Sequence, residues 1–291
     1  MIGSRIGDYV VEEELMATAV QVAYAAAHVL LPRRARVTVA AAGREAALPL
    51  MRAACVLEAL RHPGVPRVYE CGTLGGRPWI ATELVEGWTI GDTLARSVMT
   101  AEAVAVLVRD ASEILAHAHR RGVIHGNLTA SVLVRGATRP DASLCITGWD
   151  SARCGEAVSG EGDIHALGAI AYRALSAEDP TASAVQQCPG VPLALTRLID
   201  RMLAADPSQR PTAEQLRTEA TQVLELIELP LADELDVAID VVEVELVDIS
   251  RRPPPPPPPS RVRWTPPGAY EPPPHGVMIG VLKPRGKITQ G

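Results

Sequence analysis

The order of secondary-structure patterns along the chain is the feature that most restricts its fold. Up to residue 85, short runs rich in β-branched residues alternate with turns, and one helical pattern follows Pro49 at residues 50–61. From residue 86 onward, apolar residues recur at helical spacing, and Thr100 stands where a helix N-cap is expected. Strands followed by helices along one chain predict an α+β fold. We therefore expect a small β-rich lobe and a larger helical lobe.

The last part of the chain has a different composition. Residues 228–250 alternate acidic with aliphatic residues, and a proline run, Pro253–Pro259, precedes a basic, proline-rich end. Each proline ring fixes φ and removes a backbone donor, so the run favours polyproline II. We expect a linker at 223–250 and a largely disordered tail at 251–291. The tail is either a stiff spacer or a docking segment for a protein that binds proline-rich sequences.

Charge and cysteine content argue against several classes of function. The net charge of -6 and the pI of about 5.7 disfavour nucleic acid as a partner. The cysteines form no C-x-x-C pair, so we expect neither a metal site nor a disulfide framework. Apolar stretches are too short to span a bilayer, and no secretory leader is visible. We expect a cytoplasmic protein that does not bind membranes.

Five sequence segments, taken in order, resemble those of bacterial serine/threonine protein kinases. The segments are "RHPGVPRVYE", "WIATELVEG", "AHAHRRGVIHGNL", "GDIHALGAIAYRAL" and "MLAADPSQRPTAEQL". The resemblance covers residues 8–222 and implies a two-lobed kinase-like fold, with an N-lobe at 8–85 and a C-lobe at 86–222. It also implies a cleft between the lobes, with Thr82 as gatekeeper and Glu83 to Val85 as the hinge that would hold an adenine-like ring.

Catalysis in the family that the chain resembles needs a small set of groups. Glycines cover the phosphates, a lysine held by a helix glutamate binds them, an aspartate accepts the hydroxyl proton, and an asparagine and a second aspartate hold the metal ions. We place the lysine position at Ala40 and the helix glutamate at Ala53. No lysine precedes Lys283, and an arginine such as Arg34 or Arg36 would substitute only with different geometry.

The glycine-rich loop has lost its glycines. The corresponding positions hold Met16, Thr18 and Gln21, whose side chains would fill the space where the backbone approaches phosphate. Glu58 lies about a turn and a half of helix from Ala53, on another face, so it does not replace the helix glutamate.

The catalytic loop resembles the family sequence H-R-D-L-K-P-E-N but reads "HGNLTASV" from His125. The general base becomes Asn127 and the metal-binding asparagine becomes Val132. A carboxamide does not accept the proton, and valine offers magnesium no oxygen. The second metal aspartate becomes Gly148. Asp150, two residues further on, is the candidate for a rescue of metal binding.

The segment after this loop is short and leaves Arg210 without its usual partner. Only 12 residues separate the candidate rescue aspartate from Asp163, so the long activation segment of the family is missing. Its loss removes the glutamate that pairs with the counterpart of Arg210, and a buried arginine without a partner would be costly. We expect Glu156 or Glu161 to replace that glutamate, or Arg210 to face solvent.

The residues that match the family's frame read as structural. We expect His125 to pack beneath the catalytic loop, Asp163 to anchor backbone amides of that loop, and Trp149 to belong to the core. Because the charged groups are missing, we expect no cofactor. We also expect the alanine-lined cleft to collapse.

These features predict a pseudokinase, a kinase-like domain without catalysis that acts as a protein-binding or scaffolding module in signalling. Two enzymatic readings stay open. One is a divergent serine/threonine kinase with weak phosphotransfer that uses ATP, magnesium and Asp150. The other is a small-molecule phosphotransferase, because "HGN" is closer to the H-G-D of such enzymes. A nucleotide sensor without catalysis is a further possibility.

Overall fold

The structure is a computed structural model, and it describes residues 1–136, 142–155 and 159–228. The chain divides into two units, Met1–Glu234 and Leu235–Gly291, and all described residues belong to the first. Within that unit the predicted α+β architecture is confirmed, with a β-rich N-lobe followed by a helical C-lobe. Most of the predicted linker and the whole proline-rich tail lie outside the described residues.

An antiparallel sheet forms the N-lobe. Its strands are β1 (Arg5–Ile6), β2 (Tyr9–Ala17), β3 (Gln21–His28), β4 (Arg34–Ala40), β5 (Val68–Leu74) and β6 (Arg77–Glu83). Across the sheet their order is β1-β2-β3-β4-β6-β5. Gly75 and Gly76 form the turn between β5 and β6, with φ angles of +57° and +77° that favour glycine. The hairpin predicted from the Gly-Gly sequence is present.

One helix, α1 (Arg44–Leu60), packs on the inner face of this sheet. It begins before Pro49, which lies inside the helix, so the predicted start after that proline is wrong. A proline inside a helix forgoes one backbone hydrogen bond. Ala46 and Leu50 are buried against Ile80 of β6, and this tertiary packing stabilises the early turns that the local sequence does not favour.

The described part of the C-lobe consists of helices and short strands. The helices are α2 (Ile90–Leu94), α3 (Ala101–His119), α4 (Glu161–Ser176), α5 (Ala184–Gln187), α6 (Leu193–Met202) and α7 (Ala213–Glu228). The strands are β7 (Trp88–Thr89), β8 (Val123–Ile124), β9 (Leu133–Arg135), β10 (Leu144–Ile146) and β11 (Arg153–Cys154). They form two sheets, β10-β9-β7 and β11-β8. No helix in this part of the chain is long and apolar enough to cross a bilayer.

Helix α3 is the central element of the C-lobe core. It begins where the sequence predicted, because the Thr100 hydroxyl accepts a hydrogen bond from the Ala103 N–H at 3.2 Å. Its apolar face includes the fully buried Leu107 and Leu115 and packs against α4 and α7. The position of its last turn matters for the site, because His119 in that turn reaches the start of α4.

Helix α7 continues to Glu228 and so includes residues 223–228, where the acidic–aliphatic segment was placed. Val223 and Leu224 are buried and extend the apolar face begun by Leu216 and Ala220. Burial of these aliphatic residues against the C-lobe core stabilises the last turns of the helix.

The N-lobe is joined to the C-lobe by contacts at the end of α1. Leu57 and Leu60 of α1 belong to the C-lobe core, and His117 of α3 hydrogen-bonds the Leu60 carbonyl oxygen at 2.5 Å. The loop after α1 is held against β10, because the Ile146 N–H donates to the Gly64 carbonyl oxygen at 2.8 Å. These contacts fix the inner end of the space between the lobes.

Candidate functional site

The carboxylate of Asp163, in the first turn of α4, holds the catalytic loop in place. Its Oδ2 accepts a hydrogen bond from the His125 N–H at 2.8 Å, and its Oδ1 accepts one from the Gly126 N–H at 2.9 Å. His119 Nε2 lies 3.0 Å from Oδ2. The side chain is 2% exposed, so three elements of the C-lobe converge on one buried charge.

The hydrogen bonds keep this buried carboxyl group ionised. Burial acts to raise the pKa of Asp163, but the hydrogen bonds from His119 and from the amides of Gly126 and His125 outweigh burial. The pKa of Asp163 therefore lies below its ordinary value. A buried carboxylate with this many donors stabilises the loop only while it carries its charge.

His125 is a buried packing residue with a defined proton position. Its Nε2 lies 2.8 Å from the Thr147 carbonyl oxygen, which accepts only, so Nε2 carries the proton and Nδ1 accepts from the Asn127 N–H at 3.4 Å. The ring packs edge-on against Trp149, with centroids 4.8 Å apart. Burial lowers the pKa of His125, although the Thr147 carbonyl and the Asp163 and Asp150 carboxylates act to raise it. The lowered pKa favours the neutral imidazole, and both ring nitrogens are occupied by main-chain partners.

Trp149 belongs to the core and also closes one end of the cleft. It is 2% exposed, and its indole N–H donates to the Ile146 carbonyl oxygen at 2.7 Å. It starts a short 3₁₀ turn, Trp149–Ser151, that lies against α1. This turn follows Gly148, whose φ of +77° is in the left-handed region.

The two positions that the resemblance assigns to metal ligands, Val132 and Gly148, leave no room for a side chain between them. A Cβ atom at Gly148 would lie 2.8 Å from Cγ1 of Val132, which is closer than carbon atoms pack without displacement. Neither residue has a side-chain oxygen, and magnesium takes oxygen ligands in octahedral geometry. The residues present do not fit a metal ion there. In the described part of the chain, no three His, Cys, Asp or Glu side chains are grouped as a metal site.

The cleft between the lobes is open, so the predicted collapse is wrong. It encloses a cavity of 330 Å³ with side chains from the N-lobe sheet, α1, the hinge and the catalytic loop. Its lining residues are Met16, Arg36, Thr38, Leu57, Pro66, Ile80, Thr82, Glu83, Leu84, Val85, Ser131, Val132, Val134, Thr147, Gly148, Trp149 and Asp150. Strand β4 contributes Arg36 and Thr38 to this lining, rather than alanines.

Strand β4 presents Arg36 and Thr38 to the cavity, whereas Ala40 does not line it. The register of β4 with β6 sets Arg36 opposite Thr82 and Thr38 opposite Ile80. Ala40 is buried instead in the small cluster between the sheet and α1. All three β4 residues alternate onto one face, and the sequence alone does not show which of them lies at cleft depth. None of them is a lysine.

The other candidate N-lobe groups lie outside the cavity. Arg34 forms ion pairs with Glu12 and Glu86 and does not line the cleft. Ala53 is buried on α1, and the exposed Glu58 pairs with Arg61. Among the described residues that line the cleft, Arg36 is therefore the one basic side chain.

The loop between β2 and β3 closes with a hydroxyl rather than with glycines. The Thr18 Oγ1 lies 3.0 Å from the Gln21 carbonyl oxygen and accepts from the amide of Gln21 at 3.1 Å. Met16, one step earlier on β2, lines the cavity. The roof of the cleft is therefore an apolar side chain instead of exposed backbone N–H groups.

The hinge residues keep a polar edge on the cavity. Thr82 is 5% exposed and its hydroxyl donates to the Arg36 carbonyl oxygen at 3.4 Å, which ties β6 to β4. The Glu83 N–H donates to the Arg67 carbonyl oxygen at 2.8 Å. Val85 and Leu84 complete the wall on this side. Sequence reasoning found Thr82, Glu83 and Val85, and all three line the cleft.

Asp150 stands on the C-lobe wall of the cavity. It is exposed, in the 3₁₀ turn after Gly148, and among the described residues its carboxylate makes no hydrogen bond or ion pair. Its position lets it contact a molecule bound in the cleft. It is a single carboxylate, and the ligand set that the family's two magnesium ions need is not assembled around it.

Arg210 finds carbonyl oxygens rather than a carboxylate. Its Nε donates to the Ala204 carbonyl oxygen at 2.9 Å, and its Nη1 donates to the Glu161 carbonyl oxygen at 3.1 Å. The predicted ion pair with the Glu161 carboxylate is absent from the described residues, and Glu156 lies outside them. Arg210 is half-buried, so it does not simply face solvent either. Main-chain acceptors after α6 and at the start of α4 take the place of the missing glutamate.

No protein-family model matches the chain, but individual proteins do. Serine/threonine-protein kinase PknJ of Mycobacterium tuberculosis is 25% identical over 260 residues, which cover 72% of this chain and 44% of PknJ. Serine/threonine-protein kinase PknB of the same organism is 26% identical over 152 residues, covering 42% of this chain and 24% of PknB. The chain spans less than half the length of these curated relatives.

Comparison of structures gives the fold. The crystal structure of the Mycobacterium tuberculosis PknI kinase domain matches with a TM-score of 0.61 at 22% identity, covering 77% of this chain and 98% of that domain. The fold of this chain is therefore a protein kinase fold, as the order of its sequence segments predicted.

We predict that Asp163→Asn lowers the unfolding free energy by about 3 kcal/mol at pH 7, because the amide loses the charge that the buried donors require. A lowered pKa stabilises the fold above the ordinary carboxyl pKa and loses that contribution as pH falls through the lowered value. The difference in unfolding free energy between the variant and the wild type should therefore decrease below about pH 4. Urea titrations across pH test this. A gap that is constant with pH would contradict the role of the ionised carboxylate.

We predict that Gly148→Ala destabilises the chain, through the left-handed φ and through contact with Val132, by about 2 kcal/mol in total. In a Val132→Ala background the contact is relieved, so the same substitution should cost about 1 kcal/mol less. A double-mutant cycle followed by thermal or urea unfolding measures this coupling. Gly190→Ala, whose added Cβ would meet no atom within 4 Å, is the control. Additive effects would show that the two positions do not interlock.

Proposed function

We propose that this chain, whose fold and sequence relatives are those of bacterial serine/threonine protein kinases, is a pseudokinase that works by binding and not by phosphoryl transfer. The observation that supports the proposal best is the chemistry of positions 132 and 148. Neither Val132 nor Gly148 offers an oxygen ligand for a metal ion, and a Cβ atom added at Gly148 would lie 2.8 Å from Cγ1 of Val132. A function in protein scaffolding is consistent with a kinase fold that is kept while the residues at the catalytic positions have changed.

The free-energy cost of losing several catalytic groups supports inactivity over slow catalysis. Loss of one preorganised electrostatic group costs on the order of 3 kcal/mol, about a hundredfold or more in rate. In this chain the base position is Asn127, both ligand positions are apolar, and no lysine occurs before Lys283. Such losses do not add fully, but together they bring the expected rate close to the uncatalysed background.

A second candidate function rests on the cleft itself. Arg36 and Asp150 line opposite walls of an open cavity, which is the arrangement that a divergent kinase with weak activity would need. In that case Asp150 would hold a magnesium ion with water and nucleotide oxygens, and Arg36 would contact phosphate. This candidate is weaker because Asp150 has no second carboxylate or amide ligand beside it among the described residues.

We predict no magnesium-dependent ATP hydrolysis or autophosphorylation above a buffer control for the full chain. The measurement is release of labelled phosphate and incorporation into protein, with Asp150→Ala as the matched variant. Equal signals for the chain and for Asp150→Ala are expected, because neither assembles a metal site. Turnover that Asp150→Ala abolishes would support the divergent kinase instead.

The binding role is proposed for protein partners in the cytoplasm. The five cysteines carry no disulfide, which suits a reducing compartment. The proline-rich tail offers a segment that aromatic-lined grooves bind, since polyproline II is already extended and loses little entropy on binding. The domain and the tail then provide two separate attachment points.

We predict that the full chain captures a protein through residues 251–291. Affinity capture with the full chain is compared with a variant in which four of the prolines in Pro253–Pro259 are replaced by alanine. Partners that bind through polyproline II should be lost from the variant, while those that bind the domain remain. An identical set of captured proteins would show that the tail is a spacer.

A further inference from the structure

We propose that the cleft binds a small organic acid through Arg36, with a single carboxylate or phosphate group on an apolar body. This inference deepens the proposed binding function by giving the class of ligand for the cleft. It differs from nucleotide binding because a metal-bound polyphosphate plays no part in it. Three observations carry it: the position of Arg36, the state of its side chain and the charges of the other lining residues.

Arg36 is held in the wall of the cavity beside the hinge. It pairs with Thr82 across β4 and β6, and the Thr82 hydroxyl donates to its carbonyl oxygen at 3.4 Å. This bond and the strand register fix the backbone from which the guanidinium enters the cleft. The cavity that Glu83 and Val85 also line therefore has a positive group on strand β4.

The guanidinium of Arg36 is half-buried and has no hydrogen bond or ion pair among the described residues. Its neighbours on the chain differ in this respect. Arg34 pairs with Glu12 and Glu86, and Arg33 donates to the Tyr9 hydroxyl at 3.0 Å and stacks on Tyr69. Arg36 thus keeps all its donors available to a molecule that enters the cleft.

The free guanidinium selects against a neutral ring and for an acid. A neutral ring that fills the cavity would strip water from Arg36 without giving it a partner, and an unpaired buried charge is costly. A carboxylate or phosphate would pair with the planar fork through two hydrogen bonds. The body of such a ligand fits the apolar surface that Leu57, Ile80 and Val134 supply.

The remaining charges of the cavity limit the ligand to one acidic group. Among the described lining residues, Glu83 and Asp150 are the other charged side chains, and both are carboxylates. Both would repel the several negative charges of a polyphosphate. The cavity volume of 330 Å³ lies near the lower end of the range of about 300–1,000 Å³ that small-molecule sites occupy. An aryl or branched aliphatic monoacid meets both limits.

The test uses the full chain in buffer without magnesium, with benzoate, phenyl phosphate and adenosine as probes. Binding is followed by isothermal titration calorimetry and by ligand-observed NMR. We expect saturable binding of benzoate or phenyl phosphate, and no saturable binding of adenosine. The comparison of the two acids shows whether the natural ligand carries a carboxylate or a phosphate.

Substitutions locate the binding at Arg36. Arg36→Gln keeps length and polarity but removes the charge, and it should weaken binding of the acid by about tenfold or more. Arg34→Gln removes a charge from the same strand outside the cavity and should leave the affinity unchanged within about twofold. Asp150→Asn removes one repelling carboxylate and should tighten binding of the acid.

Three results would overturn the inference. They are the absence of saturable binding for both acids, an affinity that Arg36→Gln leaves unchanged, and adenosine binding tighter than either acid in the wild-type chain. If Arg36→Gln unfolds, Arg36→Lys provides the test, because it keeps the charge and should retain part of the affinity. None of these results depends on ATP turnover, so failure here is distinct from failure of the proposed lack of catalysis.

Discussion

The buried carboxylate of Asp163 is the interaction on which the rest of the site depends. A charge at 2% exposure is tolerated only because His119 and the two consecutive amides of His125 and Gly126 satisfy it. These hydrogen bonds join α3, α4 and the catalytic loop, so main-chain donors set the path of that loop. The side chains of Asn127 and Val132, which follow in the loop, take no part in the hydrogen bonds to Asp163.

Local signals explain what the sequence predicted well. Thr100 specifies its own helix start through its hydroxyl, and Gly75 with Gly76 specifies a hairpin turn through positive φ. The order of strands and helices is likewise a local property repeated along the chain. The start of α1 was missed because its early turns depend on burial of Leu50 against Ile80, residues far apart in sequence.

The sequence predicted a cleft between the lobes but not which residues of β4 reach it. Residues 36, 38 and 40 share one face of β4, and only the register with β6 shows that Arg36 and Thr38 reach the cleft whereas Ala40 does not. The open cavity was not predicted for the same reason, because alanines of β4 were expected to line the cleft where the structure has Arg36. Arg210 was expected to need a carboxylate, but its main-chain acceptors at Ala204 and Glu161 have no sequence signal.

The interlock of Gly148 with Val132 also bears on how such a chain could change over time. An acidic side chain introduced at Gly148 meets the valine, and an amide introduced at Val132 faces a glycine that supplies no second ligand. A metal ligand at one of these two positions would therefore require a compensating substitution at the other. Any return to metal binding at this point of the fold depends on paired rather than single substitutions.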